Sequence, residues 1–168
     1  MKARPRRIER EVAEHLSRIF ERYGFSPVER IPVLGRTGPD ISINELGLVI
    51  DVKSRQSVPA CFRFNRIADG YKGNPISVHA GKYMAANLLD FPQVAFYYDK
   101  VFKRTVSSVT VDKWYDHMDE WRLENMPDGI SALVLHYPGS RIGNATFLIH
   151  QNDRRRLYEK WNKIQKMT

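Results

Sequence analysis

Asp40, Asp51 and Lys53 are the residues whose types and spacing could do chemistry. Asp40–Asn44 alternates, with Ile41 and Ile43 on one face and Asp40, Ser42 and Asn44 on the other. Leu48–Lys53 does the same, setting Leu48, Ile50 and Val52 against Val49, Asp51 and Lys53. The short Glu45–Gly47 turn makes the two segments a hairpin. If the apolar residues share a face, Ile41 lies opposite Ile50 and Ile43 opposite Leu48. Asp40 then falls directly opposite Asp51, with Cβ atoms roughly 4.5–5.5 Å apart. Two carboxylates that close repel each other unless a proton or a cation lies between them. Two carboxylates with room for waters and a substrate phosphate is how Mg²⁺ is normally held. Lys53, two residues on and on the same face, completes a pattern suited to phosphodiester hydrolysis. The metal would neutralise the phosphate and acidify a water; the ammonium would orient that water or steady the developing charge. The same three side chains could instead form a solvated salt-bridge cluster on an exposed sheet face.

The elements that must position this hairpin read as follows. Residues 5–23 form an amphipathic helix with the stripe Ile8, Val12, Leu16, Ile19, Phe20 and Tyr23, Pro5 in its first turn and Gly24 just past its end. Val28–Leu34 follows as a strand, Pro32 marking an edge or a bulge, and residues 35–39 as a loop. Residues 57–76 read as an irregular basic–aromatic loop. The spacing predicts a helix over Val78–Leu89, strands at Val94–Tyr98 and Val106–Val111, and a helix over Asp112–Leu123. Strands at Leu133–Tyr137 and Thr146–His150 come next. A basic closing helix spans 152–166, capped by Asn152 or Asp153, with Leu157, Trp161 and Ile164 facing inward. The expectation is one α/β domain, 1–168, with a mixed central sheet flanked by helices and the metal site within residues 1–60.

The hairpin's context resembles a known family. Gly38-Pro39-Asp40-Ile41, then, with ten residues between Asp40 and Asp51, Asp51-Val52-Lys53-Ser54-Arg55 after the run Leu48-Val49-Ile50 is similar to the signature of the PD-(D/E)XK nucleases. The likeness extends to the archaeal-type Holliday junction resolvases over roughly the first 55 to 60 residues. Glu9-Arg10, Gly24-Phe25, Arg30, Gly35 and Pro39-Asp40 follow the order and gaps of their opening helix, Gly-Phe, strand arginine, glycine loop and Pro-Asp hairpin. Asp51 stands where those resolvases usually carry glutamate. The serine they often carry before Pro-Asp has no obvious counterpart among Leu34, Arg36 and Thr37.

The resemblance implies a restriction-endonuclease-like core. It implies that Asp40, Asp51 and the Val52 carbonyl bind Mg²⁺, for which Mn²⁺ can substitute. Lys53 would position or activate the water, and Glu9 would be a further acid near the metal, with Glu11 as substitute if the helix is rotated. The implied activity is that of a structure-selective DNA endonuclease, a junction resolvase acting as a homodimer on four-way DNA. A restriction-like, repair or exonucleolytic enzyme of the same superfamily is the alternative, and a non-catalytic DNA-binding protein on the same fold is the rival from another class.

Charge points toward the same partner. The net charge of +8 favours an anionic ligand, nucleic acid being the commonest. Arg6, Arg7 and Arg10 cluster at the start of the first helix and Arg154, Arg155 and Arg156 at the start of the last, where positive charge opposes the helix dipole. Phosphate backbone is a candidate for both runs, plain solubility the other explanation. Arg30, Arg36 and Arg55 flank the hairpin as direct phosphate contacts, and Lys72 belongs to the basic–aromatic loop, whose aromatics could equally be core residues. The five histidines form no ligand set and read as structural or surface residues. Trp114, Trp121 and Trp161 read as core anchors. Cys61, the single cysteine, excludes an internal disulfide and a cysteine-rich zinc site, which suits a reducing cytoplasm, whether the host is a cell or infected by a virus. The charged start lacks a signal-peptide core, the early acids argue against a mitochondrial presequence, and no apolar run is long enough to span a bilayer.

Overall fold

The apolar stripe of the first segment dictates the first element. Ile8, Val12, Leu16 and Phe20 recur at helical spacing, and all are buried on one side of α1 (Ala3–Glu21). Ile19 sits at the margin of the stripe, half-buried. The helix stops at Gly24, whose φ of 83° lets the Phe25 N–H turn back onto the Phe20 carbonyl at 3.1 Å. The computed structural model describes residues 3–25, 28–30, 38–58, 77–80, 83–88, 101–104 and 109–167, with backbone alone at 3–6, 29–30, 77–80, 87, 101–104 and 167.

Beyond α1 the chain lays down three antiparallel strands, β1 (Glu29–Arg30), β2 (Ile41–Ile43) and β3 (Leu48–Ser54). The β2–β3 turn is a short 3₁₀ segment, Asn44–Leu46, closed by Gly47 at φ 62°. A second hairpin, β4 (Ser77–Ala80) and β5 (Tyr83–Asn87), is followed by β6 (Val101–Arg104) and α2 (Val109–Asn125). Then come β7 (Ile130–His136), β8 (Thr146–His150) and α3 (Gln151–Met167). All described strands join one mixed sheet in the order β1-β2-β3-β7-β8-β5-β4-β6, with β3–β7 and β4–β6 parallel.

Each face of the sheet has its own core. On one, Ile41, Ile43, Leu48, Ile50 and Val52 pack with Ala132, Val134, Phe147 and Ile149 under α1 and α3. Trp161 of α3 is fully buried there, stacked on Phe25 at 5.2 Å between ring centroids. On the other, Val49, Leu133, Leu135 and Leu148 lie with Val111, Tyr115 and Met118 of α2. β7, an interior strand parallel to β3, is therefore apolar on both sides over Ala132–Leu135, as a strand in a covered sheet must be.

Three expectations are corrected. The helix expected over Val78–Leu89 is the β4–β5 hairpin. Tyr83, Met84, Ala85 and Ala86 are all buried, because β5 is an interior strand covered on both faces, and such a run shows no alternation to betray it. The strand expected at Val106–Val111 gives way to α2 from Val109 onward: burying Val111 in the core outweighs the β preference of a branched run. The cap of α3 is neither Asn152 nor Asp153; His150 Nδ1 accepts the Asn152 N–H at 3.2 Å. The expected strand at Val94–Tyr98 and residues 31–37 and 59–76 lie outside the described residues.

Candidate metal centre

The hairpin register is the one that brings the acids together. Ile41 pairs with Ile50 and Ile43 with Leu48, and the Asp40 N–H donates to the Ile50 carbonyl at 2.9 Å. Asp40 thus stands where β2 meets β3 beside Asp51. Its Oδ2 accepts the Val52 N–H at 2.8 Å, which fixes the carboxyl across the hairpin. Lys53 reaches back from β3, its Nζ 3.2 Å from Asp51 Oδ2.

This cluster is not a solvated surface patch. Asp40 is 8% exposed, and the side chains of Asp51 and Lys53 are 13% and 22% exposed. Burial is the main reason that the Asp40 carboxyl is pushed up to about 9. The hydrogen bond to Asp51 and the Asp51 charge push the same way, the Val52 N–H opposes them, and the charge of Glu9 adds a smaller upward push. One ammonium lies beside two carboxyl groups, so the surroundings of Asp40 favour a proton there over a second negative charge. A divalent cation could take that proton's place.

The donor set fits a hard, oxygen-preferring ion. Asp40 and Asp51 supply the carboxylates. Among the described residues no group of three or more His, Cys, Asp or Glu side chains converges on one point. Further ligands would therefore be backbone, water or substrate oxygens, which suits Mg²⁺, an ion that keeps several waters.

The other expected site residues are dispersed around this pair. Glu9 is half-buried on α1, near enough for its charge to act on Asp40. Glu11 turns away, 3.8 Å from Arg7 in an exposed i,i+4 pair. Val52 contributes its N–H to Asp40. Arg30 has its backbone in register with Ile41, one residue from Asp40. Arg55 is exposed at the end of β3, its guanidinium donating to the Ser54 carbonyl at 3.0 Å. Arg10 is exposed on α1. The backbone of Arg6 lies in α1, while Arg36 and Lys72 lie outside the described residues.

The C-terminal arginine run divides between partners within the chain. Arg156 pairs with Asp153 at 2.9 Å and donates to the Asp128 carbonyl at 3.1 Å, so its charge serves the fold. Arg155 pairs with Glu159 on the open surface.

Two features beside the site were not legible as such in the sequence. His136 of β7 is buried, with Ser54 Oγ 2.7 Å from Nδ1 and the Ser140 carbonyl 2.9 Å from Nε2. A carbonyl can only accept, so Nε2 carries the hydrogen and Nδ1 accepts from Ser54. That anchors β3 one residue past Lys53; an isolated His-Tyr dipeptide gave no hint of it. The second is Trp121 of α2, partly buried against the second core and against Gly38, where an added Cβ would come 3.3 Å from the indole Nε1. Trp161 is the core anchor expected, whereas Trp114 and Trp121 lie at a core's margin.

No family model, curated protein or solved structure matches this chain. Among the described residues no helix is long and apolar enough to cross a membrane.

Proposed function

We propose that this chain is a divalent-metal-dependent DNA endonuclease of the PD-(D/E)XK kind, with a junction resolvase as the leading form. The observation that carries the reading is the carboxyl pair Asp40–Asp51, buried at Asp40 and half-buried at Asp51, with the Lys53 ammonium 3.2 Å from Asp51. Burying two acids and one base together is unfavourable unless something compensates the extra charge. A proton on Asp40 compensates it in the metal-free protein, and a cation in that place is the reading proposed here. Glu9, which the resemblance would make a further acid near the metal, acts on Asp40 only as the smallest of its influences and forms no three-acid group with Asp40 and Asp51 among the described residues.

In this reading Asp40 and Asp51 would hold Mg²⁺ or Mn²⁺. The bound ion would supply charge neutralisation at the scissile phosphate and a more acidic water. The Val52 N–H keeps Asp40 oriented without consuming its second oxygen. Lys53 stays within reach of the water or of the developing negative charge, and Arg55, exposed two residues on, offers a contact to the adjoining phosphate. Resolution of a four-way junction would need two such sites in a twofold dimer, since two opposed strands are cut symmetrically.

Asp51 in place of glutamate, and the lack of an obvious loop serine, bear on the resolvase branch more than on the nuclease reading, which either acid serves, so another enzyme of the same superfamily is the alternative. Purified protein with Mg²⁺ should be offered four-way, nicked, linear duplex and single-stranded DNA. Cleavage that disappears with Asp51→Asn is expected, and preference for the four-way form would select the resolvase reading. Equal activity of wild type and Asp51→Asn would end the nuclease reading.

A further inference from the structure

β7 is apolar along its length except at Ser131 and at its last residue, His136, which is buried. A buried imidazole is costly unless both ring nitrogens are served. Here Ser54 Oγ serves Nδ1 at 2.7 Å and the Ser140 carbonyl serves Nε2 at 2.9 Å. Ser140 is itself held in a turn, its N–H and its hydroxyl donating to the Tyr137 carbonyl at 3.0 and 2.6 Å. The imidazole therefore ties the last residue of β3 to a closed turn beyond β7.

The strand is gripped from behind. Ser54 and His136 are partners in the parallel β3–β7 register, on the face that carries Val52 and Val134. Lys53 alternates to the other face, with Asp51. Past Ser54 the grip continues. The Arg55 N–H donates to the His136 carbonyl at 3.1 Å, and Val58, buried in the second core, donates its N–H to the Arg55 carbonyl at 3.3 Å. The Arg55 guanidinium bends back to donate to the Ser54 carbonyl at 3.0 Å. A long, exposed side chain is thus tethered at its backbone and at its tip, and among the described residues that bond leaves further guanidinium N–H donors for an anion. Ser54 and His136 also close the carboxyl ends of neighbouring parallel strands, the place where open α/β sheets bind their ligands.

We infer that His136 and Ser54 are positioning residues for the substrate: together they preset Arg55 against the phosphate next to the scissile one. The inference rests on the nuclease reading for its ligand and deepens it by naming what holds that phosphate contact in place. The effect is one of preorganisation. Ordering a long, mobile side chain on binding costs roughly two- to tenfold in affinity, and a guanidinium already tethered escapes much of that cost.

The test reads binding of the full chain to a fluorescein-labelled DNA four-way junction by anisotropy, in EDTA and across a series of salt concentrations. Arg55→Ala should weaken binding and lower the slope of log affinity against log salt by about one, as loss of one phosphate contact does. Ser54→Ala, which removes the side-chain bond to His136, should weaken binding roughly two- to tenfold. Ser54→Thr, which keeps the hydroxyl, should restore wild-type affinity. In the Arg55→Ala background, Ser54→Ala should cost nothing further. A general loosening of the fold would cost the same factor in both backgrounds, so additive losses overturn the inference. An unchanged salt slope in Arg55→Ala does so too. Cleavage with Mg²⁺ is scored separately on the wild type. Coupling between Ser54 and Arg55 without any cleavage would sink the nuclease reading and leave the clamp as a phosphate-binding device. Cleavage with additive losses would sink the clamp alone.

Discussion

Replacing Asp40 by asparagine in metal-free protein removes the proton that the carboxyl pair holds and leaves the rest of the hairpin intact. Asparagine Oδ1 can still accept the Val52 N–H that Asp40 accepts at 2.8 Å. In the wild type, Asp40 holds its proton up to about 9 when folded, against an ordinary value of 3.8. Between those values the folded state carries one proton more than the unfolded chain. Stability therefore falls as pH rises, by about 1.4 kcal/mol per unit, and the loss is complete above the folded value. The asparagine amide does not titrate. The difference in unfolding free energy, Asp40→Asn minus wild type, should accordingly grow from pH 5 to pH 8, by up to about 4 kcal/mol, the limit for one proton over three units. Urea unfolding followed by circular dichroism at pH 5, 6, 7 and 8 in EDTA reads this, and acids that do not interact with Asp40 cancel in the difference. Parallel pH profiles for the two proteins would refute the account, because the pair would then carry no proton for a cation to displace.

Further consequences follow from the same structure. Mn²⁺ binding at pH 7.5 should release about one proton per ion, seen as a calorimetric heat that changes between buffers of different ionisation enthalpy; buffer-independent heats would count against the Asp40–Asp51 pair as the site. Gly129→Ala should cost about 2 kcal/mol of stability or more in denaturant unfolding, since its Cβ would come 2.9 Å from the Gly47 carbonyl oxygen and 3.1 Å from that of Met126. Arg122→Leu should cost about 3–5 kcal/mol, because the buried guanidinium serves Asp119 at 2.8 Å, the Ser131 hydroxyl and the carbonyls of Pro127 and Gly129; a loss under about 1 kcal/mol would show those groups to be rehydrated instead.

The hairpin was legible from residue order because its pattern is local. Alternation over Asp40–Asn44 and Leu48–Lys53 has one solution that puts Ile41, Ile43, Leu48 and Ile50 on a common face, and the acids are carried along by the pleat. The first and last helices were legible for a similar reason, each having a single buried stripe and a polar remainder. Where burial is two-sided the pattern vanishes. Tyr83–Ala86 reads as helical in isolation because alanine and methionine favour helix, and only neighbours on both faces make it a strand. The Val109–Val111 stretch misleads in the opposite direction, its β preference yielding to the packing of α2.

The sequence by itself determined which side chains meet at the carboxyl pair, since strand pairing at short range fixes register. Only the tertiary structure decided how that pair is charged, because the depth of burial that keeps Asp40 protonated comes from the elements packed around it. Only the fold, likewise, brought His136 to Ser54 and Trp121 to Gly38, across separations in sequence that no periodicity records.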